Sequence, residues 1–196
     1  MKLPPTVQKL RGRYYTPQPI ARFLCEWAIR DRVARVLEPS CGDGNVLLEA
    51  ANVLGERRGS KVGVGALLTG IELDEKEAAS CARRLHACGM TPQGTVVIGD
   101  FFERCREMEA KGVRFDAVVG NPPFIRYQHF SEEQRRVAIE IMRTSGLRPN
   151  RLMNSWVPFL VGATRLLSEH GRLAMVIPAE LLQVNYAAET RRLLSN

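Results

Sequence analysis

The sequence of 196 residues lacks a long hydrophobic run, since no apolar stretch approaches the roughly 20 residues of a membrane-spanning helix. Residues 1–5 (MKLPP) lack the apolar core of a signal peptide. The five cysteines include no C-x-x-C pair, and the three histidines do not cluster with them, which argues against a structural zinc site. An odd number of cysteines is typical of reduced thiols. We therefore predict a cytoplasmic protein with no membrane segment and no metal.

The chain has fewer acidic than basic residues: it contains 21 Asp and Glu and 28 Lys and Arg, which gives a formal net charge of +7. This balance favours an acidic partner, of which nucleic acid is the commonest. An arginine-rich genome would produce the same balance, so charge alone does not decide. The length and an apolar fraction of 45% fit one domain with a sizeable core.

Short apolar runs alternate with stretches of helical periodicity, as expected of a parallel sheet covered on both faces. The predicted strands cover residues 34–37, 66–71, 95–98, 115–119 and 172–177. The first helix is predicted to follow an N-cap at Thr16, and later helices to cover residues 155–168 and 179–194. Because ligands of such sheets bind at the carboxyl ends of the strands, the polar residues that follow strands one to four are candidate site residues.

The first polar cluster, residues 38–44 (EPSCGDG), is a strand-to-helix turn whose glycines allow close backbone approach to a ligand. It lacks the lysine of a P-loop, and Leu47 stands where G-x-G-x-x-G would place its last glycine. The turn therefore favours a nucleotide-like ligand without phosphates over NAD or ATP. A purely structural tight turn is equally compatible with these residues.

Acidic residues end the second and third strands. Glu72 can accept hydrogen bonds from both hydroxyls of a ribose, and a solvated carboxylate is the alternative. Asp100 can accept from the amino group of an adenine, with Phe101 stacking nearby, and an N-cap for the following helix is the alternative.

The fourth cluster, Asn121-Pro122-Pro123-Phe124, is the most informative segment of the chain. The prolines fix their own φ and restrict the residue before them, which leaves an amide, carbonyl acceptors and an aromatic ring facing outward. Such a turn suits a planar ligand with an exocyclic amine, above all a nucleobase. A turn that only ends a strand is the alternative. Downstream, Ser131 and Gln134 form a capping-box pattern for a helix.

The chain resembles the S-adenosylmethionine-dependent DNA adenine-N6 methyltransferases of restriction-modification systems, in the motif order called gamma. The resemblance runs from about residue 13 to the end, in the family's order and spacing. The segments that carry it are residues 14–17 (YYTP), 37–44 (LEPSCGDG), 70–74 (GIELD), 99–102 (GDFF), 121–124 (NPPF) and 171–178 (GRLAMVIP). It implies a Rossmann-like class I methyltransferase sheet, mostly parallel and truncated after strand five.

The resemblance also implies roles for single residues. The methionine part of S-adenosylmethionine would be bound by Tyr15, Thr16, Glu38, Pro39, Ser40, Cys41, Gly42 and Gly44. Glu72 would hold its ribose, and Asp100 and Phe101 its adenine. In the turn that contains Pro123, Asn121 and Pro122 would act on a flipped target adenine and Phe124 would stack on it. Residues 126–128 (RYQ) would lie near the flipped nucleotide.

In the family the sheet has seven strands and a target recognition domain follows, whereas this sequence ends at Asn196. We therefore expect residues 1–196 to be an incomplete catalytic domain that binds the cofactor but methylates double-stranded DNA poorly without the rest of the protein. The fifth strand would form an exposed edge that favours self-association. The same Asn-Pro-Pro-aromatic motif occurs in enzymes that methylate release-factor glutamine or ribosomal RNA bases. A non-catalytic cofactor-binding or DNA-binding remnant is the third alternative.

Overall fold

The computed structural model describes residues 15–90, 95–125, 129–149, 154–179, 181 and 188–195. Helices and strands alternate along these residues except for two consecutive helices before the last strand, and one 3-10 turn lies at Val64–Leu67. The elements are α1 Gln18–Ala28, β1 Val36–Glu38, α2 Asn45–Arg58, β2 Leu68–Glu72, α3 Glu75–Ala87, β3 Val96–Ile98, α4 Phe101–Ala110, β4 Phe115–Gly120, α5 Glu132–Thr144, α6 Trp156–Arg165, β5 Leu167–Met175 and α7 Ala188–Ser195. No helix in this part of the chain is long and apolar enough to cross a bilayer.

The five strands form one sheet in the order β3-β2-β1-β4-β5, and every pair in it is parallel. This arrangement confirms the predicted α/β class. Strand order reverses beside β1, which lies between β2 and β4. In open α/β sheets such a reversal opens a crevice at the carboxyl ends of the strands, and ligands bind there.

Two hydrophobic clusters cover the two faces of the sheet. Because successive strand residues point to opposite faces, Val36 belongs to one cluster and Leu37 to the other. One cluster packs β1, β2 and β4 against α4, α5 and α6, and the other packs the opposite face against α1, α2 and α3. Both faces of the sheet are therefore covered, and the carboxyl edge is left for a site.

The prediction of an N-cap at Thr16 is wrong. Helix α1 begins at Gln18 with Pro17 in the cap position, and the carbonyl of Pro17 accepts from the N–H groups of Ile20 and Ala21. A cap at Thr16 would place Pro19 at the third helical position, where it has no N–H to donate to the threonine hydroxyl. Thr16 is instead buried, and its carbonyl accepts from Asn45 Nδ2 at 3.5 Å.

Two predicted boundaries are also wrong. Ala66 and Leu67 lie in the 3-10 turn, because the register pairs Leu68 with Val36, the first residue of β1. The helix predicted over residues 155–168 ends at Arg165, and β5 begins at Leu167, which pairs with Phe115. The capping box at the start of α5 is confirmed. Residues 126–128 and most of 179–187 lie outside the described residues.

The ladder between β4 and β5 is irregular, since Phe115 pairs with Leu167 whereas Ala117 pairs with Arg172. Gly171 lies within this irregular stretch, and a Cβ added there would lie 2.8 Å from the carbonyl oxygen of Phe115. Only glycine allows so close an approach of the two backbones. In the described part of the chain β5 pairs with β4 alone, so it forms an edge of the sheet as expected.

Candidate functional site

A cavity of about 500 Å³ opens at the carboxyl edge of the sheet, across the ends of β1, β2, β3 and β4. It brings together most residues predicted from the sequence. Those that line it are Tyr15, Thr16, Glu38, Pro39, Ser40, Cys41, Gly42, Glu72, Asp100, Phe101, Asn121 and Pro123. Three predicted site residues, Gly44, Pro122 and Phe124, are not among its lining residues.

The two glycines of the first turn have different physical roles. Gly42 lines the cavity with φ +52°, and a Cβ there would meet none of the described residues within 4 Å. Gly44 has φ +92° and precedes α2, and a Cβ there would lie 2.5 Å from Cys81 Sγ. The second glycine therefore lets the turn pack on α3, whereas the first leaves open space beside the cavity.

Side chains from neighbouring strands and helices hold this turn in place. Glu72 is buried, and its carboxylate accepts from the backbone N–H of Gly42 at 2.9 Å and of Asp74 at 2.8 Å. Arg84 of α3 donates to the backbone carbonyl of Asp43 at 2.9 Å and forms an ion pair with its carboxylate. Because carboxylate oxygens accept more than one hydrogen bond, Glu72 can also bind the hydroxyls of a ligand.

Glu38 is the most unusual group in the cavity. The residue is 2% exposed, and no hydrogen-bond partner of its Oε2 atom is found in the part of the chain that the structure describes. Burial raises the pKa of the Glu38 carboxyl well above its usual range, and nearby Cys81, Asp43 and Glu72 act in the same direction. A buried acceptor without a partner is costly, so this site favours a ligand that donates to it or carries positive charge.

The cavity is acidic although the chain as a whole is basic. Six carboxylates line it, and no lysine or arginine does among the described residues. The six are Glu38, Asp43, Glu72, Asp74, Glu77 and Asp100. Glu77 of α3 accepts from the hydroxyl of Tyr15 at 3.3 Å, which ties the segment before α1 to the rim. Such a cavity attracts cations and repels phosphates.

Asp100 and Phe101 have structural contacts in addition to their place in the cavity wall. Asp100 caps α4, as its Oδ1 atom accepts from the N–H groups of Phe102 and Glu103. Its Oδ2 atom accepts from Gln134 Nε2 at 2.6 Å. The Phe101 ring is 2% exposed and stacks on Phe159 at 5.0 Å between ring centroids. One face of this ring is therefore taken by the core.

The turn after β4 is braced mainly through its backbone. Ser40 Oγ donates to the backbone carbonyl of Asn121 at 3.3 Å, which joins this turn to the first one. Ser155 is fully buried, and its hydroxyl donates to the carbonyl of Pro123 and accepts from the N–H of Ile125 at 3.0 Å. The backbone N–H of Ser155 donates to the Ile125 carbonyl at 2.9 Å.

Within this turn the residues face different ways. Asn121 and Pro123 line the cavity, whereas Pro122 is buried. Phe124 packs partly buried against the core cluster beside α4, α5 and α6. Its predicted stacking on a base stays a prediction.

Sequence reasoning missed several lining or bracing residues. Ser155 carried no signal, because its partners lie about thirty residues earlier in the chain. Gln134 was noted only as a capping residue, although its amide reaches Asp100. Phe130 and Phe159 also line the cavity, and their aromatic contacts with Phe102 could not be read from spacing.

A strand order that reverses beside β1, with a cavity at that edge, defines a doubly wound α/β protein with its site at the switch point. Comparison with known families then narrows the class. The chain belongs to the N-6 DNA Methylase family, whose model matches residues 2–194. This match confirms the resemblance found in the sequence.

Individual relatives agree with the family. The chain is 30% identical over 185 residues to the type II methyltransferase M.XamI of Xanthomonas campestris pv. amaranthicola, covering 93% of this chain and 33% of that protein. It is 25% identical over 160 residues to a tRNA1(Val) (adenine(37)-N6)-methyltransferase of Shewanella sp. (strain MR-4), covering 82% and 59% respectively. The chain thus spans about one third of the first protein and less than two thirds of the second.

A solved structure shares the fold. The crystal structure of the type I restriction-modification system methyltransferase subunit from Streptococcus thermophilus matches with a TM-score of 0.73 at 20% identity. The match covers 94% of this chain and 39% of that subunit. The predicted methyltransferase-type sheet is confirmed at the level of the fold.

Proposed function

We propose that this chain is the catalytic part of a DNA methyltransferase that transfers a methyl group from S-adenosylmethionine to the N6 amino group of adenine. One observation carries the proposal: the acidic residues that follow β1, β2 and β3 and the Asn121 turn that follows β4 share one cavity. We call the acidic part the cofactor half and the part at the Asn121 turn the base half. Membership of the N-6 DNA Methylase family supports it.

The cofactor half fits S-adenosylmethionine better than a phosphorylated nucleotide. Its ammonium and sulfonium groups are cationic, and Glu38 offers a buried acceptor without a partner in an acidic wall. Glu72 and Asp100 line this cavity, and in the proposal Glu72 would accept from ribose hydroxyls and Asp100 from the adenine amine. Phosphates would meet six carboxylates and no lining lysine or arginine among the described residues.

The base half supplies acceptors for the target amine. When bound, S-adenosylmethionine supplies an electrophilic methyl group on a cationic sulfur. The Asn121 side-chain oxygen and, after a shift of the turn that brings it to the cavity wall, the Pro122 carbonyl would each accept one N–H of the amine, which aims the nitrogen lone pair at the methyl carbon. Positive charge grows on the nitrogen as the new N–C bond forms and the C–S bond breaks, so both hydrogen bonds strengthen in the transition state. The products would be S-adenosylhomocysteine, which carries the former sulfonium as a neutral thioether, and N6-methyladenine, whose extra amine proton is lost to solvent. Holding the nitrogen and the carbon in line adds a proximity effect.

The proposed substrate is an adenine in double-stranded DNA. Its amine is hidden in the duplex, so the nucleotide must be flipped into the cavity. Phe124 would stack on the flipped base after a shift of its ring from the core cluster, and such stacking contributes about 1–3 kcal/mol per base.

We further propose that the catalytic domain is incomplete within these 196 residues. The chain would bind S-adenosylmethionine and methylate DNA poorly without the additional segments of its longer relatives. The edge of β5 would associate with a second copy or with such a segment. Sedimentation at increasing concentration tests self-association, and a species that stays monomeric throughout contradicts it.

Two measurements test the function. Calorimetric titration of the 196-residue chain should show binding of S-adenosylmethionine and none of ATP or NAD. In a protein that contains this chain together with its recognition segments, Asn121→Ala should abolish methyl transfer and leave cofactor affinity within about twofold. Asn52→Ala, in α2 outside the cavity wall, is the control. Transfer by Asn121→Ala at the wild-type rate would refute the assigned role.

A second candidate function is methylation of an adenine in RNA. The likeness to the tRNA1(Val) (adenine(37)-N6)-methyltransferase favours it, because that relative covers 82% of this chain. The chemistry at Asn121 would be the same. Transfer assays with duplex DNA, tRNA, ribosomal RNA and a release factor side by side separate the candidates by product.

A further inference from the structure

The hydrogen bond between Asp100 and Gln134 joins two segments that are 34 residues apart. Asp100 follows β3, and Gln134 lies in the first turn of α5. Both side chains line the cavity, and Gln134 Nε2 donates to Asp100 Oδ2 at 2.6 Å. The other carboxylate oxygen of Asp100 is committed to the cap of α4.

The orientation of the Gln134 amide is fixed from its other end. Gln134 Oε1 accepts from the backbone N–H of Ser131 at 3.0 Å, and the Ser131 hydroxyl accepts from the N–H of Gln134 at 3.1 Å. Because the oxygen is held by an N–H donor, the amino group must point toward Asp100. The capping box therefore presents an amide donor at a defined place in the cavity wall.

An acceptor and a donor thus lie side by side in the wall. One carboxylate oxygen accepts up to two hydrogen bonds, and the amino group of glutamine has a second N–H. Adenine presents the complementary pattern, an amino donor next to a ring-nitrogen acceptor. Hypoxanthine, which carries a carbonyl oxygen in place of the amine, would set that oxygen against the carboxylate.

We infer that Gln134 is the positioning residue that makes the cofactor site selective for adenine, by holding the Asp100 carboxylate in the orientation that accepts from the exocyclic amine. This inference rests on the proposed function. The first turn of α5, which follows the Asn121 turn in the sequence, would then also contribute to the cofactor half of the site.

Two variants separate this role from helix capping. Gln134→Glu keeps an acceptor for the N–H of Ser131, so the capping box survives, but it replaces the amide donor by a carboxylate beside Asp100. Ser131→Ala removes the hydroxyl half of the capping box and leaves the amide donor in place. A capping role predicts harm from Ser131→Ala alone, because Gln134→Glu keeps the capping box, whereas a positioning role predicts a change of selectivity from Gln134→Glu alone.

The experiment measures binding of S-adenosylhomocysteine and of its deaminated analogue S-inosylhomocysteine by calorimetry. The wild-type chain should prefer the adenine ligand by about a hundredfold. Gln134→Glu should reduce this preference by at least about tenfold, the effect of one buried hydrogen bond, and Ser131→Ala should keep it within about twofold. Thermal melts followed by circular dichroism show whether each variant is folded.

Failure of the proposed function and failure of the inference about Gln134 give different results in this experiment. If the wild-type chain binds neither ligand, the proposed function is overturned and this inference with it. If the wild-type chain prefers the adenine ligand and Gln134→Glu keeps that preference, or if both variants lose it equally, the inference alone is overturned.

Discussion

The cofactor half and the base half of the cavity are held by different kinds of group. In the cofactor half the holding groups are carboxylates: Glu72 accepts from two backbone N–H groups and Asp100 from two more. Glu38 lines the cavity, and its buried Oε2 atom has no hydrogen-bond partner among the described residues. In the base half, the hydroxyls of Ser40 and Ser155 bind the backbone of the Asn121 turn.

We therefore expect substitutions in the two halves to change different quantities: cofactor affinity in one half and the rate of methyl transfer in the other. A cavity wall made of charges selects its ligand by electrostatics, so substitutions there should change cofactor binding first. A turn fixed through its backbone sets the direction of two acceptors, so loosening it should change the transfer step and leave cofactor binding intact.

The largest effect expected from a single change in the cofactor half comes from Glu38→Gln. The variant keeps the size of the side chain but replaces a carboxyl that can ionise against the cationic ligand by a neutral amide, so S-adenosylmethionine should bind about ten to a hundred times more weakly. Calorimetric titration measures the change. Glu49→Gln is the matched control, since Glu49 is also buried but accepts from Gln18 outside the cavity. Equal losses in both variants would contradict the special role of Glu38.

In the base half, Ser155→Ala should lower the rate of methyl transfer with little change in cofactor affinity. It leaves the N–H of Ile125 without its hydroxyl partner and should cost about 1–3 kcal/mol of stability. The hydroxyl makes no cap bond to α6, so the helix itself should persist. Ser145→Ala, at the far end of α5, is the control. A variant that loses cofactor binding and transfer together would argue against a separate base half.

A smaller effect concerns the pH dependence of stability. Because the pKa of Glu38 is raised in the folded state, the folded chain retains a proton that the unfolded chain releases above about pH 4.3. Stability of the ligand-free protein should therefore fall as pH rises from there to the folded pKa, and this slope should be weaker in Glu38→Gln. Urea titrations at a series of pH values above about 4.3 compare the two. Parallel curves would contradict the raised pKa.

The smallest effect should come from Ser40→Ala, which removes the link between the two turns. The bond is long at 3.3 Å, so its loss should cost about 1 kcal/mol or less. Transfer should slow by less than about tenfold. Ser60→Ala, whose hydroxyl accepts from Val62 on the surface, controls for the loss of a serine. A loss as large as that of Ser155→Ala would mean that the two turns act as one unit.

Local patterns predicted the class of fold and most of the cavity wall. Apolar runs of strand length, each followed by polar residues, are enough to predict where the cavity wall lies, because the carboxyl ends of parallel strands meet at one edge of the sheet. Glu72 and Asn121 could therefore be named from the sequence, and the structure places both in the wall.

Features that depend on distant partners could not be predicted in this way. The start of β5 is set by the pairing of Leu167 with Phe115, and a helical pattern in the preceding residues gives no sign of it. The direction in which Phe124 points depends on the core that α5 and α6 bring to it. The bond between Asp100 and Gln134 required the fold itself.

Because Cys81 of α3 lies close to Gly44, α3 limits how near the turn of residues 38–44 can come to it. A sulfur atom occupies the place that a side chain at position 44 would need. A larger residue at position 81 would push the turn toward the cavity, and a smaller one would let it sink toward the helix. The depth of the cavity beside this turn should therefore change with the volume of the side chain at position 81, although Cys81 is not among the described residues that line the cavity.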